Sequence, residues 1–182
     1  MAPFTSWLTR SRYPHAVGSG VLLALAFPNT GIAGLAWVAP ALMLGVAAGA
    51  SGRDALRLGC VAGLAYHLTS LYWLLLIPVK FFPILGWLAL SAYLSCYTAV
   101  WVWAAWRLWP SGAPSHGLLS IGWPVWWRRA LWAPAVAALW VALEMLRARL
   151  LGGFPWNPLG ASQQQLAPLI QVASLGGVYA VS

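Results

Sequence analysis

Few residues in this chain can do chemistry. Asp54 and Glu144 are its two carboxylates, Cys60 and Cys96 its two thiols, and Lys80 its one lysine. Any acid/base enzyme drawn from these residues alone starts from that short set. Glu144 and Arg147 stand three positions apart, so on a helix they share a face and can pair. A Glu within an apolar span is costly unless it is paired or faces water. Two readings of the pair are open: a self-neutralising couple that lets its helix insert, and a polar lining near one membrane face. His67, Thr69 and Ser70 lie in another apolar stretch, followed by Tyr72 and Trp73. A lone His, with no second His or carboxylate near it in sequence, reads as an interhelical hydrogen-bond partner before it reads as a ligand. Cys60 and Cys96 sit in apolar runs with no CxxC and no metal-ligand spacing, and an apolar site makes a thiol inert. No HExxH, GxSxG, Walker loop or Gly-rich dinucleotide fingerprint occurs, so no metal and no cofactor is expected.

The densest polar sequence follows the pair. Gly153-Phe154-Pro155-Trp156-Asn157 leads through Gly160-Ala161 to Ser162-Gln163 and two further glutamines. Its prolines, aromatics and amides make a loop apolar enough for a membrane interface and polar enough to meet lipid headgroups. Tyr72, Trp73, Glu144, Arg147, Phe154, Pro155, Trp156, Asn157, Ser162 and Gln163 are therefore the candidate lipid- or substrate-lining residues.

The elements that would position them are membrane helices. Of 182 residues, 62% are hydrophobic and 7% charged, and the mean hydropathy is +0.76. Soluble domains carry about 25% charged residues, so too few charges are present to cover a water-facing surface. Residues 13–52, 58–79, 81–106, 130–143 and 150–182 contain no Asp, Glu, Lys or Arg. A span needs about 20 apolar residues, so the first stretch holds two, broken at Pro28-Asn29-Thr30-Gly31. The sequence predicts an all-α polytopic bundle of about six transmembrane helices, near 12–28, 31–50, 55–77, 84–108, 129–151 and 166–182. The sixth has no stop signal, so 1–182 reads as one membrane domain cut within its last helix. The first helix reads as uncleaved, because a hairpin signal and a second span follow it at once.

Positive charge sets the orientation. With the amino terminus in the cytoplasm, the inner segments hold Arg10, Arg12, Arg53, Arg57, Arg107, Arg128 and Arg129. The outer ones hold Lys80, Arg147 and Arg149. The amino terminus and the 110–127 connection are thus expected inside, and the 152–165 loop outside. A net charge of +8 raises nucleic acid as a partner. The basic residues are scattered between apolar runs, however, and the tryptophans at 109, 123, 126, 127 and 132 suit an interfacial belt. No nucleic-acid role is expected. Small residues such as Gly18, Gly20, Gly59 and Gly63 point to close helix packing.

A family resemblance rests on particular residues. Gly153-Phe154-Pro155-Trp156-Asn157, Gly160-Ala161-Ser162-Gln163, Leu166-Ala167-Pro168 and Gly176-Gly177-Val178-Tyr179 resemble the membrane region of apolipoprotein N-acyltransferases. Leu35-Ala36-Trp37, Leu71-Tyr72-Trp73, Ala92 to Tyr97, Arg107-Leu108-Trp109-Pro110, Ala133-Pro134-Ala135, Trp140 and Leu143-Glu144-x-Leu-Arg147 agree in order. The sequence departs from the family where Gly-Tyr-Ser-Gln reads Gly160-Ala161-Ser162-Gln163, and at Met145 and Ala148.

The resemblance implies eight membrane helices carrying a periplasmic αββα nitrilase-like domain, in a bacterial inner membrane. It implies a transferase of lipoprotein biosynthesis: a Cys takes an acyl chain from a phospholipid as a thioester and then passes it to the amino-terminal Cys of a diacylated apolipoprotein. The implied partners are therefore a phospholipid donor, that apolipoprotein and the membrane. The family's catalytic Glu, Lys and Cys have no counterpart among these residues, so 1–182 is expected to be catalytically silent by itself. Two rivals stand beside this reading: another membrane-bound acyl-transfer or glycan-modifying enzyme, and a membrane transporter or lipid-binding helical bundle without enzymatic activity.

Overall fold

The computed structural model describes residues 12–28, 30–110 and 125–182. Arg10, Asn29, Trp123 and most of the 110–127 connection, all used above, lie outside them. Among the described residues the fold is helical, with no strand. Five principal helices alternate in direction: α1 (Arg12–Ala24), α2 (Leu35–Ala47), α3 (Gly52–Ser70), α4 (Phe82–Leu108) and α5 (Val125–Arg147).

Local chemistry explains where these helices start and stop. Ser51 caps α3: its Oγ accepts from the Asp54 amide at 3.2 Å, and the Asp54 carboxylate sits in the first turn, where it favours the helix dipole. The helix stops at Ser70 and continues only as a 3₁₀ turn, Tyr72–Leu76. Phe81 then turns the chain with φ 64°, and Pro83 opens α4 in its first turn. Pro40 and Pro134 lie inside α2 and α5, each removing one backbone donor from its helix.

α1 and α2 are 13 residues each, shorter than the 12–28 and 31–50 expected. Backbone around 25–34 is spent on turns closed by Gly31 N–H to Phe27 O at 2.9 Å and Ile32 N–H to Leu25 O at 3.1 Å. Among the described residues, α4 and residues 126–147 of α5 are the two helices long and apolar enough to cross a membrane, by length and composition. Residues 166–182 differ from expectation too. Instead of one helix they form short pieces, α6 (Ala167–Ile170), α7 (Ala173–Gly176) and a 3₁₀ turn, Gly177–Ala180. Pro168 can only open a helix, and Gly177 at φ 66° ends one, which breaks an apolar run that hydropathy alone would join.

α3 lies at the centre, against α1 on one side and α4 on the other. Two glycines set the α3–α4 distance. A Cβ on Gly59 would meet Val102 Cβ at 2.8 Å and Ala99 Cα at 2.9 Å, and one on Gly63 would meet Thr98 Cβ at 2.8 Å. Gly20 of α1 meets the Ala62 carbonyl of α3 in the same way. Around these contacts Leu23, Phe27, Met43, Leu58, Tyr66, Trp101 and Val102 form the core. α5 leans on α4 through indole donors: Trp101 Nε1 to Val136 O and Trp132 Nε1 to Ala105 O, both at 3.0 Å.

The bundle has two polar ends. Arg12 Nη1 donates to Ala48 O at 2.9 Å, and Trp106 Nε1 donates to Ala50 O at 3.0 Å. Arg12, the 48–53 turn and the end of α4 therefore share one end. Lys80, Arg147 and Arg149 belong to the other, where the 152–163 loop lies.

Overpacking the α3–α4 contact should be costly. Gly63→Val is expected to lose about 1–3 kcal/mol. Gly18→Ala, where nothing lies within 4 Å of the new Cβ, should be neutral or better. Thermal melts of the two variants in detergent, read by circular dichroism, check the contrast.

Candidate functional site

The 152–163 loop folds back over the end of the bundle, and the buried pair on α5 holds it there. Glu144 is 4% exposed and Arg147 6%. A buried carboxylate needs donors, and Glu144 Oε1 has three around it. Trp140 Nε1, one turn earlier, donates at 2.8 Å; the Leu159 amide donates at 2.7 Å; Arg147 Nη2 stands at 3.8 Å. The guanidinium does more than neutralise its neighbour. Arg147 Nη2 donates to the Asn157 carbonyl at 3.0 Å, and Tyr66 Oη on α3 donates to the same oxygen at 3.3 Å. Both ends of the 157–159 segment are thus fixed by side chains from two helices.

Backbone geometry prepares this return. Gly152 and Gly153 have φ 88° and 76°, a region only glycine enters freely. A Cβ on Gly153 would also strike the Ala148 carbonyl. The chain then reverses, and the Phe154 amide closes on Arg147 O at 3.0 Å. Asn157 has φ 50°, a conformation its short polar side chain tolerates better than most.

Beyond Asn157 the loop reaches the α1–α2 hairpin. Gln163 is 3% exposed. Its Nε2 donates to Ala33 O at 3.1 Å, and its Oε1 accepts from Trp37 Nε1 at 3.2 Å. Ser162, equally buried, donates to Leu159 O at 2.7 Å and accepts from Gln163 Nε2 at 2.8 Å. The loop also carries an aromatic face: Trp156 lies 5.0 Å from Trp73 and 6.2 Å from Phe154, centroid to centroid.

Most of the residues singled out from the sequence therefore come together. Trp73, Glu144, Arg147, Phe154, Trp156, Asn157, Ser162 and Gln163 form one continuous assembly at one end of the bundle. They divide by role: Glu144, Arg147, Ser162 and Gln163 are buried inside it, whereas Trp156 is 47% exposed and Pro155 is also exposed. Tyr72 is exposed, on the 3₁₀ turn beside Trp73.

Among the described residues His67 bonds within its own helix. Its Nδ1 lies 2.8 Å from Gly63 O, one turn back on its own helix. Three further participants, Tyr66, Trp140 and Trp37, were not among the candidate lining residues, although Trp37 and Trp140 carry part of the family resemblance. Trp140 had a signal, since it precedes Glu144 by four positions, on the same helix face. Trp37 and Tyr66 meet the loop across 126 and 91 residues, which no spacing rule reaches. Neither thiol joins the site: Cys60 lies beside Ser95 Oγ at 3.8 Å, and Cys96 Sγ donates to Ala92 O. Among the described residues no group of three or more metal-ligating side chains occurs.

Comparison with known proteins finds relatives along most of the chain. The model of the apolipoprotein N-acyltransferase N-terminal domain matches residues 19–182. The apolipoprotein N-acyltransferase of Geobacter metallireducens is 39% identical, over 96% of this chain and 32% of its own length. That of Gloeobacter violaceus is 33% identical, over 89% of this chain and 30% of its own. That of Vibrio vulnificus is 32% identical, over 87% and 29%. The chain thus spans about a third of the length of the curated relatives it matches.

Breaking the pair should separate its two duties. Arg147→Leu leaves Glu144 as an unpaired buried charge, at an expected cost of about 3–5 kcal/mol. Glu144→Leu with Arg147→Leu should recover most of the insertion but leave the loop unpinned. A Ser162→Cys reporter, shielded in the parent, should then react readily with a maleimide in detergent. A reporter still shielded in the double variant would show that Tyr66 and Gln163 hold the loop without the pair.

Proposed function

The chain belongs to the apolipoprotein N-acyltransferase family, and from that premise we propose that it is the membrane part of an enzyme that acylates lipoproteins. In this reading the whole protein takes an acyl chain from a phospholipid, as a Cys thioester, and delivers it to the amino-terminal Cys of a diacylated apolipoprotein. This region holds the acyl-transferring domain at the bilayer and presents lipid to it.

The observation that carries the proposal is the pinned loop. Residues 153–163 offer exposed Trp156 and Pro155 on a base fixed by Glu144, Arg147, Tyr66 and Gln163. An interfacial aromatic surface on a rigid base suits the positioning of a lipid substrate, since binding energy serves transfer only if the reacting groups are held in register. Tyr72, Trp73 and Phe154 extend that surface.

The thioester step itself needs a thiolate, a base and an oxyanion donor. Among the described residues the hydrogen-bond partners of Cys60 and Cys96 are the Ser95 hydroxyl and the Ala92 carbonyl, and neither is a base that makes a thiolate. We assign that chemistry to the part of the relatives' length that this chain does not span.

The membrane reading takes the five principal helices as passages through a bacterial inner membrane. The amino terminus lies in the cytoplasm, and the 152–165 loop on the periplasmic side. The shared end of Arg12, Arg53, Arg57 and Arg107, against Lys80, Arg147 and Arg149 at the other, supports this direction. The broad exposed apolar surface, with Trp37, Phe81, Leu85 and Trp103 among its residues, supports burial in lipid.

Three measurements check the reading. In the full-length protein, Arg147→Met should lower transfer to a diacylated lipopeptide roughly tenfold or more, because a charge-assisted bond worth about 1.5–3 kcal/mol is lost. Unchanged transfer would detach the loop from the reaction. Purified 1–182 should insert into vesicles yet transfer no acyl chain above a Cys60→Ala, Cys96→Ala variant. For topology, Gln164→Cys is the reporter of choice, because Gln164 is exposed whereas Ser162 is not. Gln164→Cys should react with an impermeant maleimide in cells with permeable outer membranes, and Arg53→Cys should not.

A further inference from the structure

Beneath the ion pair, where α3, α4 and α5 meet, lies a cavity of about 20 Å3. Its lining includes Tyr66, His67, Thr98, Trp101, Glu144 and Arg147. A site needs about 10–15 Å3 of such space to hold one water, so this one has room for a single small molecule. Three of its residues present buried polar atoms without a partner: His67 Nε2, Glu144 Oε2 and Arg147 Nε. Their residues are 3%, 4% and 6% exposed. Buried polar atoms in native proteins are satisfied, by protein or by ordered water.

The chemistry of the three atoms is complementary. His67 Nδ1 faces the Gly63 carbonyl at 2.8 Å, and a carbonyl only accepts, so Nδ1 carries the proton and Nε2 is left as an acceptor. Glu144 Oε2, in a carboxylate paired with Arg147, is a second acceptor. Arg147 Nε–H is a donor. An anion would confront two acceptors, and a cation would confront the guanidinium. A neutral molecule with two O–H donors and a free lone pair fits all three.

We propose that this cavity is a binding site for one water molecule. It donates to His67 Nε2 and Glu144 Oε2, accepts from Arg147 Nε–H, and so ties α3 to the pair on α5. No direct bond from His67 to Glu144 or Arg147 occurs among the described residues, so the water supplies that link. His67 is then a positioning residue acting through the water on the pair. The inference holds whatever reaction the full protein performs, because it rests on the geometry of the cavity alone.

A structure of the full-length protein in lipid, at a resolution that shows ordered waters, tests this directly. The expected result is one density peak within about 2.7–3.2 Å of all three atoms, lost in His67→Phe. Absence of that peak in the parent, a monovalent ion in its place, or a direct His67–Glu144 bond would overturn the proposal. Radiolytic hydroxyl labelling gives a second readout, since a bound water yields its radical in place. Tyr66 should be oxidised despite its burial while Phe27, also buried, is not, and Thr98→Leu, which fills the cavity, should abolish the Tyr66 signal. Equal Tyr66 and Phe27 signals in the parent would count against a bound water.

Discussion

A single carboxylate buried in apolar surroundings constrains the rest of this structure. Glu144 cannot be left without donors, since an unpaired charge at such depth costs several kcal/mol. Its own helix supplies two, Trp140 and Arg147, and still leaves capacity on the oxygens. The Leu159 amide takes up part of it, and that requirement draws the chain back across the bundle. The Gly152-Gly153 turn, the positive φ of Asn157 and the closure of Phe154 on Arg147 are the local means by which it returns. Arg147, anchored by the same carboxylate, then fixes the Asn157 carbonyl together with Tyr66. One ion pair therefore organises contacts from α3, α5 and the loop.

The structure adds a further role to the two readings that sequence left open for the pair. Self-neutralisation is part of its role, but a couple whose members were satisfied by each other alone would not need Leu159 or Asn157. The 3.8 Å separation of Arg147 Nη2 and Glu144 Oε1 is looser than the bonds each makes to the loop, at 3.0 and 2.7 Å. Holding the backbone is the tighter of the two functions. A rigid loop with aromatic side chains on its outer face is then a consequence of helix chemistry rather than of the loop's own composition.

Much of this was legible in the sequence, for identifiable reasons. Charge-free runs marked the chain as all-helical, because hydropathy is a property of composition and survives without coordinates. The i, i+3 spacing of Glu144 and Arg147 gave their pairing, and the Pro/Gly/Trp/amide content of 152–165 gave the loop. The boundaries were less legible. Backbone hydrogen bonds around 25–34 shorten α1 and α2, and Gly177 breaks the last apolar run; hydropathy is blind to both. The long-range partners were not legible at all. Trp37 and Tyr66 are ordinary aromatic residues in apolar helices, and only the packing of α1, α2 and α3 brings them to the loop. For His67, spacing did not show that the i−4 carbonyl of its own helix takes Nδ1 and leaves Nε2 without a protein partner.

The central claim is that the Glu144 carboxylate holds the loop backbone, and amide hydrogen exchange at Leu159 tests it most directly. In the full-length protein the Leu159 amide should exchange slowly, and Glu144→Leu with Arg147→Leu should speed it at least tenfold, the equivalent of about 1.4 kcal/mol of lost protection. Amides inside α3 should keep their rates, showing that the bundle persists. An unchanged Leu159 rate in that variant would contradict the account, because the loop would then be held by something other than the buried carboxylate.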